Sequence, residues 1–150
     1  MPTVRTILFP LELVEASRDI VPWVNLMAEQ FQAEVHVLHV IPDPGYWGVA
    51  YGISPKHLDD EPFLIRRAEE KAGTFCVENM AEGLTFKIQA VVGDPSEEIL
   101  RYAEEQDISM IVMGATGRRG LEKAVFGSVA DHVVRSSPVP VLCVHPPKAT

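Results

Sequence analysis

Short runs of apolar residues alternate along this chain with longer stretches in which apolar residues recur every three or four positions. The short runs predict buried β-strands, and the periodic stretches predict amphipathic helices. Because strands and helices alternate, the sequence predicts an α/β fold built from βαβ units, with one open parallel five-stranded sheet and helices on both of its faces. The predicted strands lie at about residues 4–9, 34–40, 84–90, 109–113 and 139–145. The predicted helices lie at about residues 19–31, 63–81, 94–106 and from residue 127 onward.

Prolines and capping residues predict where the helices begin and end. Proline has no N–H group and is tolerated in the first turn of a helix, where N–H groups have no partner within the helix. We therefore expect Asp19 to cap the first helix and Pro22 to lie in its first turn. Asp94 is followed by Pro95 and, three positions on, by an acidic residue, which predicts a capped helix start. Gly83 is expected to end the second helix. The buried faces of the first and last helices are predicted to consist of Ile20, Val24, Met27, Ala28 and Phe31, and of Val129, Ala130, Val133 and Val134.

The composition of two strands predicts the order of the sheet. The third strand alternates apolar and polar residues over residues 84–90, so one of its faces is exposed, as suits a sheet edge. The fifth strand contains Pro140, which cannot donate to a neighbouring strand and also indicates an edge. Short right-handed crossovers then give the order 3-2-1-4-5, with strands 1 and 4 adjacent in the centre. In such sheets a ligand binds beyond the carboxyl ends of the strands at which the winding direction reverses.

Size and composition limit the classes of function. The chain has 150 residues, which indicates one domain spanning residues 1–150, and a formal net charge of −8, which argues against a nucleic-acid partner. Cys76 and Cys143 lie in apolar stretches without metal-ligand spacing, so buried thiols are expected, and the five histidines likewise show no metal-ligand spacing. No apolar run is long enough to cross a bilayer, and the N-terminus does not resemble a secretory signal, so we expect a soluble cytoplasmic protein.

A glycine pattern after the fourth strand predicts a phosphate-binding loop. Gly114 and Gly117 follow the apolar run that ends at Met113, and after nine further residues come Gly127 and Ser128. Glycine lets the backbone approach an anion closely. A helix that begins near Gly127 would direct unpaired N–H groups and its positive dipole end toward that anion. A nucleotide is therefore the expected ligand.

This spacing resembles the signature loop of the nucleotide-binding branch of the universal stress proteins. Further similar motifs cover nearly the whole chain: residues 7–10 near the start, 38–41 after the first helix, 93–95 before the third and 138–142 near the end. The resemblance implies a Rossmann-like fold of the adenine nucleotide alpha hydrolase type. It also implies ATP, or ADP or AMP, as the ligand, with Mg or Mn bound through the phosphates. Finally, it implies a homodimer that regulates a stress response or a signal through a partner that the sequence does not identify.

The family resemblance assigns roles to individual residues. In such proteins Gly114 and Gly117 would follow the ribose and phosphates, while the N–H groups and hydroxyl of Gly127, Ser128 and Val129 would hold the phosphates. Arg118 and Arg119 lie in the same loop, either as phosphate contacts or as solvated cations. The remaining residues of the expected site are Pro10, Leu11, Glu12, Val40, Ile41 and Met113.

Opposite the phosphate loop, the resemblance places Pro10 and Leu11 against the base and the backbone of Val40 or Ile41 at the adenine edge. Glu12 stands where the family usually has aspartate. The longer side chain would either keep the contacts to ribose or adenine with a shifted pose or weaken binding.

The fifth strand carries apolar residues on both faces although it is predicted to be an edge, and such an edge needs a cover. The resemblance implies that a second copy supplies it, through Val139, Val141, Leu142 and Cys143.

Three functions fit these observations. The first is a dimeric nucleotide-binding stress or signalling protein. The second is an enzyme, either a slow ATPase or an adenylating enzyme of the related fold, but the chain contains no lysine-bearing phosphate loop and no nucleophile elbow, and we assign no catalytic residue. The third is a dimeric interaction module that has lost nucleotide binding, which the presence of Glu12 keeps open.

Overall fold

The computed structural model describes residues 1–43, 52–57, 59–116 and 126–145. Strands and helices alternate through these residues. The strands are β1 (Thr6–Pro10), β2 (Glu34–Ile41), β3 (Phe86–Val92), β4 (Met110–Gly114) and β5 (Val141–Val144). The helices are α1 (Ser17–Phe31), α2 (Glu61–Asn79), α3 (Pro95–Glu105) and α4 (Ser128–Ser136), and a short 3₁₀ turn covers Pro55–His57.

The five strands form one parallel sheet in the order β3-β2-β1-β4-β5, which confirms the predicted topology. Leu8 of β1 pairs with His36 of β2 on one side and with Ile111 of β4 on the other. Ile111 is fully buried, as are its neighbours in the middle of β4, because helices cover both faces of the central strands. The edge strand β3 instead exposes Lys87 and Gln89, as its alternation predicts.

Three clusters of buried apolar residues occur among the described residues, and the two larger ones, the first and second core, lie on opposite faces of the sheet. Helices α1 and α2 cover one face, and α3 and α4 cover the other. The first core includes Ile7, Phe9, Val24, Ala28, Val35, Val37, Ala72 and Cys76. The second includes Leu8, Leu38, Ile99, Ala103, Ile111, Ala130 and Val133. The expected arrangement of one sheet with helices on both faces is confirmed. The loops that follow β1 and β4 therefore meet at the carboxyl ends of the strands.

Helix α1 begins earlier than predicted, and the expectation that Asp19 caps it is wrong. Ala16 occupies the cap position, and Pro22 lies inside the helix. Three successive turns open the helix, in which the N–H groups of residues 17–19 donate to the carbonyls of residues 14–16 at 2.9–3.2 Å. The chain is thus already helical before Pro22, whose ring removes only the hydrogen bond to the carbonyl of the exposed Arg18.

Residues at helix ends are less buried than their periodicity predicts. Phe31 and Val134 were expected on buried faces, but they are 45% and 46% exposed. Each lies in the last turn of its helix. Helix α2 also ends at Asn79, so Gly83 does not terminate it; with a φ of 85°, Gly83 instead allows the left-handed turn that leads into β3.

The start of α3 is capped as predicted. The Asp94 carboxylate accepts the N–H of Glu97 at 3.0 Å and the hydroxyl of Ser96 at 2.8 Å. The bond from the Glu97 N–H, followed by that from Ser96, holds the pKa of Asp94 below its usual range. Ser96 is buried and also lies 2.9 Å from Nδ1 of His132, so this cap joins α3 to α4.

Neither cysteine forms a disulfide, as expected. Cys76 is buried in the first core, and burial raises the pKa of its thiol to about 11. Cys143 on β5 is half-buried, and burial raises its pKa as well. Within the described ranges, no helix is long and apolar enough to cross a membrane.

Strand β5 is shorter than predicted at both ends. Val139, expected in the strand, precedes it, because the Ser137 hydroxyl accepts the N–H of Val139 at 3.1 Å and donates to its carbonyl at 2.7 Å. Both main-chain groups of Val139 are therefore used locally. Pro140 then leads into β5 at the edge of the sheet, as predicted, with its carbonyl accepting the N–H of Ile111.

Candidate functional site

A cleft opens at the carboxyl ends of β1 and β4, where the winding of the sheet reverses. Its volume, counted together with space open to solvent, is about 450 Å³. Its walls come from the ends of three strands, from the loops after β1 and β4 and from the start of α1. The lining residues are Pro10, Glu12, Val14, Ala16, Ser17, Asp19, Ile20, Met113, Gly114, Thr116 and Val144.

The loop after β1 forms one wall and is tied to β2. The N–H of Leu11 donates to the carbonyl of Leu38 at 2.9 Å, so the chain continues the β1–β2 pairing for one residue beyond the strand. Glu12 then turns toward the cleft, and Leu13 adopts a φ of 56°, which is uncommon for a side chain of this kind. Ser17 accepts the N–H of Val14 through its hydroxyl at 3.3 Å, which fixes the end of the loop onto α1.

The opposite wall is organised by Ala115, which is fully buried just after β4. Its N–H donates to the carbonyl of Val144 at 2.9 Å, and its carbonyl accepts the N–H of Gly127 at 2.7 Å. One residue thus joins β4, β5 and the start of α4. As a result, Gly127, the N-cap residue of α4, lies against the backbone of Thr116, which lines the cleft.

Gly127 is needed for this close approach. A Cβ atom at Gly127 would lie 2.9 Å from the carbonyl oxygen of Thr116 and 3.0 Å from its carbonyl carbon, closer than real Cβ contacts. In this structure the N–H of Gly127, expected to hold a phosphate, donates to the Ala115 carbonyl, and its role toward a phosphate stays a prediction. Ser128 and Val129 come first in α4, and the N–H groups of a first turn have no partner within their own helix. No side chain among the described residues caps this helix.

The structure brings together only part of the expected site. Pro10, Glu12, Met113 and Gly114 line the cleft, whereas Gly127, Ser128 and Val129 at the start of α4 are not among its lining residues. The other expected residues near β1 and β2, Leu11, Val40 and Ile41, are buried, and none of the three lines the cleft. The carbonyl of Ile41, at the far end of β2, accepts the N–H of Gly93 at 3.1 Å. Gly117, Arg118 and Arg119 lie outside the described residues.

The chain matches the family model described as the universal stress protein family over residues 3–145. The matched range covers 143 of the 150 residues. The chain belongs to the universal stress protein family.

Individual relatives agree with this assignment. The chain is 30% identical over 146 residues to universal stress protein MJ0531 of Methanocaldococcus jannaschii, an alignment that covers 96% of this chain and 84% of the relative. The solved structure of MJ0577, from the same organism, superposes with a TM-score of 0.78 at 28% identity and covers 98% of this chain and 99% of its own.

Two further solved universal stress proteins carry nucleotides. One is in complex with cAMP and superposes with a TM-score of 0.61 at 20% identity; the alignment covers 95% of this chain and 98% of the other. The second, from Archaeoglobus fulgidus, is in complex with dAMP and superposes with a TM-score of 0.57 at 19% identity, again with 95% and 98% coverage. At this identity the likeness establishes a shared fold.

Several lining residues of the universal stress protein cleft were missed by sequence reasoning. Ala16, Ser17, Asp19 and Ile20 belong to the start of α1, and Val144 ends β5. The available signal was topological, because the helix that follows a strand begins at the carboxyl edge of the sheet, where the ligand crevice lies. Asp19 was considered only as a cap, and its position in the cleft follows from the earlier start of α1.

A buried histidine supports the loop after β1. His39 is fully buried, and its Nδ1 lies 2.7 Å from the carbonyl oxygen of Leu11. Because a carbonyl only accepts, Nδ1 carries the proton. Burial lowers the pKa of His39, against a smaller raising effect of the Leu11 carbonyl, so the imidazole is neutral at pH 7. Like His36, which lies 2.7 Å from the Tyr102 hydroxyl, it is a hydrogen-bonded structural histidine.

The lowered pKa of His39 gives a pH dependence of stability. The unfolded chain binds a proton at this residue below about pH 6.5, whereas the folded chain does so only at lower pH. We expect the free energy of unfolding to fall by up to about 1.4 kcal/mol per pH unit as the pH decreases from 6.5 toward the folded-state pKa. In His39→Asn, which keeps a donor near Nδ1 but does not titrate, the decrease is expected to be shallower.

Urea unfolding at pH 7, 6 and 5 measures this difference. His57 is exposed on the 3₁₀ turn, so His57→Asn serves as the matched control and should keep the pH dependence of the unsubstituted protein. Equal slopes in His39→Asn and in the unsubstituted protein would contradict the assignment of this pH dependence to His39.

Proposed function

We propose that the cleft between β1 and β4 binds an adenine nucleotide, with ATP and its divalent metal as the preferred ligand. The observation that carries the proposal is the approach of the start of α4, through its N-cap residue Gly127, to the backbone of Thr116, which lines the cleft. A helix start of this kind favours anions through its unpaired N–H groups and its dipole. The nucleotide complexes of relatives with the same fold support the choice of ligand class.

The lining of the cleft suits the two halves of a nucleotide. Pro10, Met113 and Val144 provide apolar surface, which favours a base or the carbon face of a ribose. The N–H groups of Ser128 and Val129 are the donors for the phosphates, together with the Ser128 hydroxyl, since Ser128 is exposed. Glu12, on the wall formed by the loop after β1, is the acceptor for ribose hydroxyls or the adenine amino group.

The charge of the site favours a nucleotide that carries its own cation. Glu12 and Asp19 both line the cleft, and the chain has a formal net charge of −8, so a bare triphosphate would meet a repulsive field. No group of three or more potential metal ligands occurs among the described residues. Mg²⁺ binds phosphate oxygens and keeps several waters, so it would enter with ATP and reduce the repulsion.

Titration calorimetry of the purified protein tests this function. We expect ATP with Mg²⁺ to bind with a dissociation constant of roughly micromolar or tighter, which corresponds to about −8 kcal/mol, and AMP to bind at least about tenfold more weakly. Absence of heat from a folded protein would contradict the proposal and favour the dimeric interaction module. Slow release of phosphate from ATP would not contradict it, because binding is the proposed activity.

We further propose that two copies associate through β5, so that nucleotide occupancy at the adjacent cleft can alter a dimer in a stress or signalling response. The carbonyls of Pro140 and Val144 accept the N–H groups of Ile111 in β4 and of Ala115 just after it, at 2.9 Å each. Successive residues of a strand alternate in direction, so the main-chain groups of Val141 and Cys143 face the open edge of the sheet. These two residues, with the side chain of Leu142, are the proposed contact.

Removal of one outward N–H group tests this interface. In Val141→Pro the ring eliminates a donor on the open edge without breaking a bond to β4, and Val141 is the first residue of the strand, where proline is tolerated. Two symmetric contacts would each lose a hydrogen bond, so the dimer dissociation constant should rise roughly tenfold or more.

Sedimentation equilibrium measures the dimer, with Val141→Thr as the control that keeps the N–H group. A dimer of unchanged strength in Val141→Pro would place the interface elsewhere. Leu142→Asp is a less suitable variant, because Leu142 also packs against the first core.

A further inference from the structure

The loop after β1 reaches the cleft as a short span anchored on both sides. Leu11 is buried at its start, and both of its main-chain groups bond to β2, the N–H to the Leu38 carbonyl at 2.9 Å and the carbonyl to His39 Nδ1 at 2.7 Å. Leu13 follows two residues later with a φ of 56°. Glu12, which lines the cleft, therefore lies between Leu11 and Leu13. Both main-chain groups of Leu11 are hydrogen-bonded, and the backbone of Leu13 is left-handed.

The left-handed conformation of Leu13 needs support from its surroundings. A leucine in this region is held only where neighbouring contacts determine the path of the chain. On the carboxyl side of Leu13, two hydrogen bonds between Val14 and Ser17 provide these contacts. The Val14 carbonyl accepts the Ser17 N–H at 2.9 Å, and the Val14 N–H donates to the Ser17 hydroxyl at 3.3 Å. On the amino side of Leu13, the hydrogen bond from His39 Nδ1 to the Leu11 carbonyl fixes the main chain of Leu11 to β2.

His39 is well suited to hold this position. Its ring is fully buried in the middle of the sheet, on a strand paired on both sides with β1 and β3, so its own position is fixed by the scaffold. A site built on a rigid element with its supporting hydrogen bonds in place loses less freedom when a ligand binds. Removal of the donor would also leave the Leu11 carbonyl buried without this partner.

We propose that His39 is a positioning residue of the nucleotide cleft: through the Leu11 carbonyl it fixes the loop that presents Glu12 to the ligand. This role rests on the proposed nucleotide function and adds to it a residue that does not touch the ligand. His39 is not a catalytic residue, and it acts only through the main chain of Leu11.

Two substitutions at this position separate the hydrogen bond from packing. His39→Asn places an amide donor close to the position of Nδ1, whereas His39→Leu fills much of the same space without a donor. We expect His39→Leu to bind ATP about 5- to 20-fold more weakly and His39→Asn to bind within about twofold of the unsubstituted protein. Val35→Ala is the control, since Val35 is equally buried on β2 but lies at the other end of the strand. It should lower stability without weakening ATP binding.

Amide hydrogen exchange of Glu12, Leu13 and Val14 gives a second readout that needs no nucleotide. Exchange should be faster in His39→Leu than in His39→Asn or in Val35→Ala. If His39→Leu does not fold, His39→Gln, whose amide reaches the Nε2 position instead, replaces it in both measurements.

The role is overturned if His39→Leu binds ATP as tightly as the unsubstituted protein does, or if His39→Asn loses as much affinity as His39→Leu. An unsubstituted protein that binds no ATP overturns the proposed function and, with it, this positioning role. The exchange rates distinguish failure of the positioning role from failure of the nucleotide function. Unchanged exchange in His39→Leu would show that the bond from His39 to the Leu11 carbonyl does not hold the loop after β1.

Discussion

Replacing Gly127 with alanine is expected to lower both the stability of the fold and its affinity for ATP. The added methyl carbon would lie 2.9 Å from the Thr116 carbonyl oxygen, and both neighbours are backbone atoms that cannot rotate away. Either the bond from the Gly127 N–H to Ala115 lengthens or the start of α4 moves away from β4. Overpacking of this kind costs about 1–3 kcal/mol, or roughly 3–10 °C in melting temperature for a chain of this size. Because the donors of α4 shift with it, ATP should bind roughly tenfold more weakly.

Gly73→Ala is the matched control for this substitution. A Cβ atom at Gly73, in α2, would have only an ordinary contact of 3.7 Å with Ile88. Alanine also favours a helix over glycine by about 1 kcal/mol, so the control should be at least as stable as the unsubstituted protein and bind ATP equally. Thermal unfolding and calorimetry on both variants provide the measurements. A Gly127→Ala protein with unchanged stability would show that the approach of α4 to Thr116 is less close than described.

Gly114→Val is expected to lose much of its ATP affinity but, unlike Gly127→Ala, little of its stability. Gly114 ends β4 and lines the cleft, and a Cβ atom there would lie 2.9 Å from Cδ1 of Ile20. This neighbour is the tip of a flexible side chain that also lines the cleft. Ile20 can move aside, but both side chains then take up space in the cleft. We expect ATP to bind at least about tenfold more weakly, with a melting temperature within about 4 °C of the unsubstituted protein.

Comparison of the two glycine variants separates their roles. Affinity measured by calorimetry should fall in both, whereas the melting temperature should fall substantially only in Gly127→Ala. Full ATP affinity in Gly114→Val would mean that the ligand does not occupy the cleft at the end of β4.

The sheet and its order were predictable because each strand carries a local signature. Lys87 and Gln89 mark the exposed face of β3, Pro140 marks the edge at β5, and the apolar residues of β4 indicate burial on both faces. The capped start of α3 at Asp94 was predictable for the same reason, since a cap involves residues only three positions apart.

The parts that were not predictable depend on contacts between distant residues. Gly127 was expected to make room for a phosphate, yet the constraint that the structure shows is the backbone of Thr116, which a pattern of glycines does not reveal. The place of Asp19 in the cleft likewise depends on the turns before α1. The general location of the site follows from topology, whereas the individual groups that face it require the packed structure.

The most direct test of the proposed nucleotide site is a titration of the isotopically labelled protein with ATP and Mg²⁺, followed through its backbone amide signals by NMR. The proposed nucleotide site predicts the largest shifts at Glu12 and Thr116, which line the cleft, and at Ser128 and Val129 at the start of α4. Shifts that cluster instead around a separate surface cleft near Ile53 and Arg66, or no shifts at ATP concentrations well above micromolar, would contradict the account.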